Sequence, residues 1–270
     1  MSMIFDVHAH YDDDKFNDDR FQVLSSMPEK GVCCIINAAV DIETARLSIE
    51  YAEKYNYVYA AVGLHPECAN KAEEGYIDRL KNLAKHKKAV AIGEIGLDYY
   101  WDTVPREAQK KVFIQQIELA KELNLPVVVH DRDAHGDTMN ILRQYMPSGI
   151  VHCFSGSVEM CREVVKLGMY ISLGGAVTFK NAKRSAEVAK DIPLDRLLLE
   201  TDAPYMAPVP FRGKRCDSSM IKYTAEKIAE IRGITVEELL NAAAENACRL
   251  FNIESVSYTH LRAHETKANL

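Results

Sequence analysis

Several features that would assign this chain to common protein classes are missing from its 270 residues. No apolar run reaches the roughly 18 to 20 residues that a membrane-spanning helix needs. The first residues, Met-Ser-Met-Ile-Phe-Asp, contain neither a basic segment nor a small-residue cleavage site, so we expect no signal peptide. These absences predict a cytoplasmic protein without a membrane partner.

The CxxC motif and a broad excess of positive charge are also missing. The 7 cysteines are an odd number and never show the CxxC spacing, which favours reduced thiols in a cytoplasmic protein. The net charge of -6 argues against a protein that coats nucleic acid with a basic surface, because such binding neutralises many phosphates. An enzyme that admits one strand end or one phosphoester stays compatible with this charge, since metal ions can hold that phosphate.

No linker rich in proline, glycine or serine divides the chain, and no short repeat is present. Strand-like runs alternate with helix-like segments from the start. We predict strands at Ile4–His10, Val32–Val40, Val58–His65, Ala89–Asp98, Pro126–Asp131, Ile150–Phe154, Met169–Val177 and Arg196–Asp202. Most of these are continuous apolar runs and not alternations, so they indicate parallel strands covered on both faces.

Helical signals occupy the segments between the strands. The apolar spacing predicts helices at Ile42–Tyr55, at Glu107–Leu123 and at Ser218–Arg232. Thr235 and Glu238 have the spacing of a capping box, in which each side chain accepts a hydrogen bond from a free backbone N–H at the start of a helix.

Eight strand–helix units in a chain of this length predict a (β/α)₈ TIM barrel of the α/β class. A doubly wound open sheet is the alternative. The barrel is favoured because the chemistry-bearing residues end strands that are spread along the chain, and only a closed barrel brings those ends to one mouth. We expect one barrel domain over residues 1–254.

The final segment, Ser255–Leu270, is polar and lacks apolar periodicity. We interpret it as a disordered tail or a segment foreign to the natural protein. His260 and His264 have the i,i+4 spacing of helical metal ligands, but a solvated tail explains them better, so we exclude both from the site.

Residue types that bind metals stand at the ends of five predicted strands. His8 and His10 are two residues apart, so on a strand both rings face the same side and can bind one ion. The alternative is an exposed pair in the turn that begins at Tyr11. Asp202 ends the eighth strand, where its carboxylate can bind a metal and accept a proton from the attacking water. Glu200, two residues earlier, is interpreted as the partner that orients a histidine ligand.

Glu94 lies in the segment Gly93-Glu-Ile-Gly-Leu-Asp98, whose glycines we expect to let a large ligand approach the backbone. A carboxylate has two oxygens and can bridge two metals, although a strand-end glutamate is often only exposed to water. His130 and His152 end successive strands. Together with Glu94 they can hold a second ion, the alternative being two satisfied, partly buried histidines.

Seven segments together resemble the TatD family of metal-dependent hydrolases, which belongs to the amidohydrolase-like barrels. In the order of that family they are Phe5-Asp-Val-His-Ala-His10, Gly63-Leu-His-Pro66, Gly93-Glu-Ile-Gly-Leu-Asp-Tyr99, His130-Asp-Arg132, His152-Cys-Phe-Ser-Gly-Ser157, Glu200-Thr-Asp-Ala-Pro-Tyr205 and Pro210-Phe-Arg-Gly-Lys-Arg215. The resemblance runs from residue 5 to about residue 215, and the set is specific although each motif alone is weak.

The resemblance implies two overlapping metal sites and a nuclease. One ion would be bound by His8, His10, Glu94 and Asp202, and the other by Glu94, His130 and His152. The family is associated with deoxyribonuclease activity, often exonucleolytic, and D-aminoacyl-tRNA deacylase activity has been linked to members. This chain has Phe211 where the family's last motif usually has histidine, and Cys216-Asp-Ser-Ser219 where it usually reads Asn-Glu-Pro.

We therefore expect a two-metal phosphodiesterase that binds DNA locally at the barrel mouth, as a monomer or weak oligomer. Mg²⁺, Mn²⁺ and Zn²⁺ are the candidate ions, and Glu94, Asp202 and His65 are the candidate catalytic residues. The alternative is an ester or amide hydrolase, such as a D-aminoacyl-tRNA deacylase. Candidate contacts for the substrate phosphates are His65, Arg132, Arg212, Lys214 and Arg215. The aromatic run Tyr99–Trp101 either stacks on bases or packs its loop, and we expect packing.

Overall fold

The computed structural model of the chain describes residues 3–101 and 103–254. The predicted tail at 255–270, with His260 and His264, lies outside the described residues. The described residues form eight parallel strands that neighbour one another in chain order. Their bounds are β1 Ile4–Ala9, β2 Val32–Ala38, β3 Val58–Val62, β4 Ala89–Asp98, β5 Val127–Arg132, β6 Gly149–Val151, β7 Tyr170–Leu173 and β8 Leu197–Leu199.

Helices connect successive strands and cover the outside of the sheet. In the described part of the chain they are α1 Arg20–Ser26, α2 Ile42–Lys54, α3 Tyr76–Ala84, α4 Arg106–Leu123, α5 His135–Tyr145, α6 Val158–Lys166, α7 Lys183–Asp191, α8 Ile221–Arg232 and α9 Val236–Phe251. Within those same residues, none of these helices is both long and apolar enough to cross a membrane.

The sheet closes through hydrogen bonds between its first strand and the residues that follow its last. The backbone N–H of His10 donates to the carbonyl of Ala203, and the N–H of Asp202 donates to the carbonyl of His8 over 3.0 Å. Ala9 and Ala203 form a parallel bridge there. These contacts confirm the predicted (β/α)₈ barrel and exclude the doubly wound open sheet, in which the first and last strands would not meet.

The buried residues form two clusters that match the two sides of the barrel wall. One cluster combines residues of every strand with residues of α9 and of no other described helix, so it fills the barrel interior. Its strand members include Phe5, Ile36, Ala61, Ala91, Val128, Ile150, Tyr170 and Leu198. Phe251 of α9 packs against Phe5, with ring centroids 6.5 Å apart, and covers the amino-terminal end. The larger cluster lies between the strands and the helices. This packing leaves the carboxyl-terminal ends of the strands as the polar face of the barrel.

Local details differ from the sequence-based expectations at several element ends. Ser218–Met220 forms a 3-10 turn and the α-helix begins only at Ile221. The Thr235 hydroxyl accepts from the N–H of Glu238 over 3.1 Å, which is one half of the predicted capping box. A complete capping box forms at α2 between Asp41 and Thr44. Predicted strand ends such as those near His10 and His65 extend beyond the observed strands, because these residues turn away from the ladder into the mouth.

Candidate metal centre

His8 and His10 bring their ring nitrogens together at the end of β1, where the Nε2 atoms are 3.0 Å apart. Both Nε2 atoms lie 3.4 Å from Oε2 of Glu94 on β4. The Nδ1 of His10 lies 2.8 Å from the carbonyl of Ala38, to which it donates in the tautomer that leaves Nε2 unprotonated. The β1 pair and one Glu94 oxygen therefore present three converging ligand atoms, as the sequence predicts.

Asp202 completes this half of the site from the end of β8. Its Oδ1 lies 3.5 Å from Nε2 of His10 and 3.7 Å from Nε2 of His8. Asp202 adopts the left-handed backbone conformation with φ 61°, and its N–H is held by the carbonyl of His8. Its side chain is 21% exposed against 4% for Glu94, so Asp202 is the carboxylate that faces the open mouth.

The second half of the site is built around the other oxygen of Glu94. Oε1 lies 2.7 Å from Nδ1 of His130 and 2.7 Å from Nε2 of His152, and these two nitrogens are 3.3 Å apart. The ring of His152 also stacks on the ring of His8, with centroids 3.8 Å apart. The two oxygens of one carboxylate thus face two different pairs of histidines.

The charges in this cluster depend strongly on one another. Burial works against ionisation of Glu94, but the positive charge of His152 and the hydrogen bond to His130 hold its pKa well below the usual range. Burial also works against a charge on His10, yet Asp202 and Glu94 outweigh it and raise the pKa of His10 to about 10. In His8, burial together with the charge of His152 lowers the pKa. The cluster therefore combines ionised carboxylates with a neutral His8, which is the protonation state that a histidine needs to bind a metal.

Two carboxylates, Asp98 and Glu200, lie behind the histidines of the second half of the site. Oδ2 of Asp98 lies 3.0 Å from Nε2 of His130, so the opposite nitrogen, Nδ1, faces Glu94. Glu200 lies 3.7 Å from Nδ1 of His152 and accepts a hydrogen bond from the Ser172 hydroxyl. Glu200 thus stands beside His152, but at a separation longer than a hydrogen bond, so its orienting role stays a prediction. The sequence analysis does not predict the orienting role of Asp98, although a carboxylate at the end of a strand that carries a metal ligand is a visible signal.

Gly96 explains how β4 lies so close to β5 at this point. Its φ is +146°, and a Cβ added there would lie 2.0 Å from the carbonyl oxygen of His130. Only glycine fits this contact. The expectation that the glycines around Glu94 admit a large ligand is therefore wrong at Gly96, because the neighbour that needs the space is the backbone of the adjacent strand.

The donor set fits divalent cations. Three groups of three residues each offer ligand atoms within 4.8 Å of one another: His8, His10 and Glu94; His8, His152 and Asp202; and His65, Glu94 and His130. Ligands held tetrahedrally at about 2.0–2.2 Å from one ion are about 3.4 Å apart, close to the separations around Oε2 of Glu94. Buried atoms that lack a hydrogen-bond partner within the described residues include Nδ1 of His152 and Oε1 of Glu200. These two atoms lie 3.7 Å apart, so a small shift of the His152 ring toward Glu200 would let them pair.

His65 extends into the centre from the end of β3, but it presents a hydrogen-bond donor there and not a lone pair. Its Nδ1 accepts from the N–H of Glu67 over 3.2 Å, which leaves the proton of the neutral ring on Nε2. Burial lowers the pKa of His65, so the neutral form is favoured. Nε2 lies 3.5 Å from Oε1 of Glu94. An N–H donor at this place suits contact with a substrate oxygen better than ligation of a metal.

The four predicted cations lie in different settings. The guanidinium of Arg132 lies over the ring of Tyr100, 4.1 Å from its centroid. The guanidinium of Arg212 lies 4.6 Å from the ring centroid of Phe179. Arg215 instead forms a two-pronged ion pair with Asp19, with N···O distances of 2.7 and 2.6 Å. Lys214 is exposed. Arg215 therefore anchors its loop to the loop after β1, which competes with its predicted contact to phosphate.

Phe211, which departs from the usual family motif, is turned toward α8. Its ring packs on Tyr223 with centroids 5.0 Å apart, and its N–H donates to the carbonyl of Pro208 over 2.7 Å. This position therefore contributes to packing of the loop after β8, and the polar group that the family usually places there has no counterpart at residue 211.

The aromatic run after β4 divides into a packed residue and two exposed ones. Tyr99 donates its hydroxyl proton to Asp137 over 2.7 Å, and the guanidinium of Arg106 lies 4.2 Å from its ring centroid. Tyr100 and Trp101 are 54% and 55% exposed. The expectation that all three pack the loop therefore holds for Tyr99 alone.

Known proteins are similar to this chain in sequence and in fold. Residues 5–252 match the model of the family described as TatD related DNase. The chain is 47% identical over 254 residues to the uncharacterized metal-dependent hydrolase YabD of Bacillus subtilis, covering 93% of this chain and 100% of that protein. It is 41% identical over 213 residues to the uncharacterized metal-dependent hydrolase YcfH of Escherichia coli K12, covering 78% and 79%.

Solved structures agree with this result. The crystal structure of YjjV, a TatD homolog from Escherichia coli K12, superposes with a TM-score of 0.87 at 33% identity, covering 93% of this chain and 98% of that one. A hydrolase of the TatD family from Entamoeba histolytica superposes with a TM-score of 0.82 at 26% identity, covering 93% and 99%. The likeness extends over the whole barrel that carries the cluster of histidines and carboxylates.

Proposed function

From the membership of this chain in the TatD-related DNase family of metal-dependent hydrolases and from the geometry of its centre, we propose that it hydrolyses phosphodiester bonds of DNA. The reaction uses two divalent ions and is exonucleolytic. One ion would be held by His8, His10, Glu94 and Asp202. The second would be held by Glu94, His130 and His152.

The division of the Glu94 carboxylate is the observation that carries this proposal. Oε2 faces the β1 histidines at 3.4 Å, while Oε1 faces His130 and His152 at 2.7 Å. A carboxylate that faces two ligand sets in this way could bridge two ions, as carboxylates do in two-metal phosphatases and nucleases. A single structural ion would use fewer ligands and leave no open position.

The ions supply Lewis acidity and lower the pKa of a bound water; Mg²⁺, Mn²⁺ and Zn²⁺ all suit mixed histidine and carboxylate ligands. The chain supplies the proton acceptor and the substrate contacts. Asp202, the most exposed carboxylate of the cluster, accepts the proton of the attacking water. The Nε2–H of His65 donates a hydrogen bond to an oxygen of the substrate, and Arg132, Arg212 and Lys214 face the outer phosphates.

An ester or amide hydrolase, such as a D-aminoacyl-tRNA deacylase, is the alternative on the same centre. Related barrels that cleave amides often bridge their metals with a carbamylated lysine, whereas here the bridging position carries Glu94. The exposed cations Arg212 and Lys214 beyond β8 favour a substrate with several phosphates over a small ester or amide, a feature that DNA and tRNA share. A cytoplasmic location and a monomeric or weakly oligomeric state stay predictions.

The test is turnover of three end-labelled substrates: single-stranded DNA, double-stranded DNA and a D-aminoacyl-tRNA. Each is incubated with the metal-depleted protein and with added Mg²⁺, Mn²⁺ or Zn²⁺. We expect metal-dependent release of mononucleotides from DNA and none with EDTA. Hydrolysis of the aminoacyl ester alone, or of no substrate with any metal, would refute the proposal.

A matched pair of glutamate variants tests the bridging role. Glu94→Gln removes the bridge, and we expect the loss of activity to exceed about 100-fold, because even residues behind metal ligands cost 10- to 100-fold. Glu53→Gln is the control, since Glu53 is an exposed carboxylate paired only with His86 among the described residues, at 3.2 Å. Near-normal metal-dependent activity of Glu94→Gln would contradict the role of the bridge.

A further inference from the structure

Tyr100 and Trp101 form an exposed aromatic pair beside the metal centre. They follow β4, the strand that carries Glu94 and Asp98, and are 54% and 55% exposed. Their rings meet edge to face with centroids 5.0 Å apart. Two large aromatic side chains that stay half exposed next to each other are typical of a binding site, because burial would otherwise stabilise them.

The aromatic pair is fixed to the centre by a single carboxylate. Oδ1 of Asp98 accepts hydrogen bonds from the N–H groups of Tyr100 and Trp101 at 2.9 and 3.2 Å. Oδ2 of the same residue contacts Nε2 of His130 at 3.0 Å. The turn that presents the aromatic rings and the ring of a proposed metal ligand are therefore held in one arrangement by Asp98.

A cation lies against this pair. The guanidinium of Arg132 is 4.1 Å from the ring centroid of Tyr100 and 5.9 Å from that of Trp101. Arg132 follows His130 by two residues on β5, which corresponds to about 7 Å along a strand. The surface thus combines aromatic faces with a guanidinium at a short distance from the centre, which are the two elements that single-stranded nucleic acid binds.

Tyr99 packs within the loop after β4, whereas the rings of Tyr100 and Trp101 do not. Tyr99 is held by Asp137 and lies under Arg106, so it fixes the start of the loop after β4. Tyr100 and Trp101 are instead turned outward, and the polar contacts of their turn are made by backbone N–H groups. Their exposed rings are thus available to a ligand without any rearrangement of the core.

We propose that Trp101 and Tyr100, backed by Arg132, form a stacking platform for a nucleobase of a single-stranded deoxyribonucleotide whose phosphate occupies the metal centre. This inference rests on the proposed function and names the feature of the substrate that binds outside the centre. Stacking accepts every base because each has a π face, so the platform selects unpaired strand ends and not a base sequence. Bases inside a duplex are already stacked and cannot use it.

The test compares a single-stranded oligonucleotide with its counterpart in which the last nucleotides lack bases. For the unaltered protein we expect KM to be about 5- to 100-fold lower for the strand with bases, the range that stacking of one base gives. Trp101→Ala removes most of this preference, Tyr100→Ala removes part of it, and Trp101→Phe restores it. Phe21→Ala is the matched control, since Phe21 is 44% exposed on α1, and it keeps the full preference.

A second readout does not depend on turnover. Trp101 is the 1 tryptophan of the chain, so fluorescence excited at the indole band reports on the platform alone. On rapid mixing with the metal-loaded protein, we expect the strand with bases to quench this fluorescence and the abasic strand to leave it unchanged. Equal signals from both strands would overturn the platform.

The outcomes separate this inference from the proposed function. If the unaltered protein cleaves neither strand, the nuclease proposal fails and the platform fails with it. If it cleaves both strands and Trp101→Ala leaves their KM ratio unchanged, the platform alone is refuted. A change in oligomeric state of Trp101→Ala with an unchanged KM ratio would assign the aromatic pair to a protein contact and would also refute it.

Discussion

Oδ2 of Asp98 lies 3.0 Å from Nε2 of His130, so that the opposite nitrogen of the ring points at Glu94. Burial works against a charge on His130, but the hydrogen bonds to Asp98 and Glu94 raise its pKa to about 9. Partners of this kind fix the orientation of a histidine ligand and increase its basicity. Asp98 therefore belongs to the metal centre although it would not touch the ion.

Asp98→Asn is expected to weaken one of two metal-binding steps by about 10- to 100-fold. The step that involves His130 loses the carboxylate that orients the ring, while the step that involves His8 and His10 keeps all its ligands. Calorimetric titration of the metal-depleted protein measures both steps. Asp137→Asn is the control, since Asp137 contacts Tyr99 and Lys110. Equal weakening of both steps would contradict the assignment.

Metal binding at neutral pH is expected to release protons. Asp202 and Glu94 outweigh the opposing effect of burial and raise the pKa of His10 to about 10, so this ring is protonated near pH 7 before a cation binds. A histidine must lose its extra proton before it binds a metal. The pKa of His130 is also raised, to about 9, so this ring should release a proton as well. Calorimetry in buffers of different ionisation enthalpy measures the protons released. A heat of binding that is the same in every buffer would contradict this prediction.

The metal-depleted protein is expected to lose stability as the pH rises. The pKa of His10 in the folded chain is about 10 and that of His130 about 9, above the value of about 6.5 for a histidine in an unfolded chain. Their contribution is fully present below about pH 6.5 and is lost as the pH rises through the folded values. In the metal-loaded protein these rings are unprotonated throughout, so the difference in Tm between the two forms should widen from neutral pH to pH 9–10. If the plots of Tm against pH for the two forms ran parallel, this prediction would be refuted.

Removal of metal at neutral pH should lower Tm by several degrees. A ligand present at about 100 times its Kd stabilises the folded state by about 2.7 kcal/mol, and each kcal/mol corresponds to about 2–4 °C for a domain of this size. Thermal unfolding with EDTA and with added Mn²⁺ measures the shift. Glu94→Gln should reduce the shift, whereas Glu53→Gln should preserve it.

Lys214→Ala and Arg215→Ala should affect different properties of the protein. Lys214 is exposed and should contact a substrate phosphate, so its removal lowers the salt dependence of binding to single-stranded DNA by about 0.7 in the logarithmic slope. Arg215 is held by Asp19, and its removal should cost about 1 kcal/mol of stability or less with little change in that slope. Titrations at several salt concentrations and thermal unfolding of both variants distinguish the two roles. The reverse pattern would reassign them.

The barrel and most of its centre could be predicted because they depend on local patterns. Apolar runs mark the strands, and the predicted bounds of β4 agree with the observed Ala89–Asp98. The ligand types stand where these runs end, so closing the barrel was enough to bring residues as distant as His8 and Asp202 together.

The missed features depend on register and exposure, which the sequence does not display. Asp98 reaches His130 because β4 and β5 pair with Gly96 beside His130 and Asp98 beside Arg132, a register that the pattern of apolar residues does not fix. Tyr99, Tyr100 and Trp101 are alike in sequence, yet one is packed and two are exposed. The ion pair of Arg215 with Asp19 joins two loops that only the folded barrel brings together.

The hydrogen bonds between β1 and the residues after β8 mean that the centre forms only when the first and the last strand of the barrel have paired. His8 and Asp202 are ligands of the same proposed ion, and the N–H of Asp202 is bonded to the carbonyl of His8. An incomplete chain that lacks the eighth strand would retain the His-x-His pair but could not finish its coordination. Uptake of the ion should therefore be among the last events of folding, because the complete ligand set exists only after the first and last strands have paired.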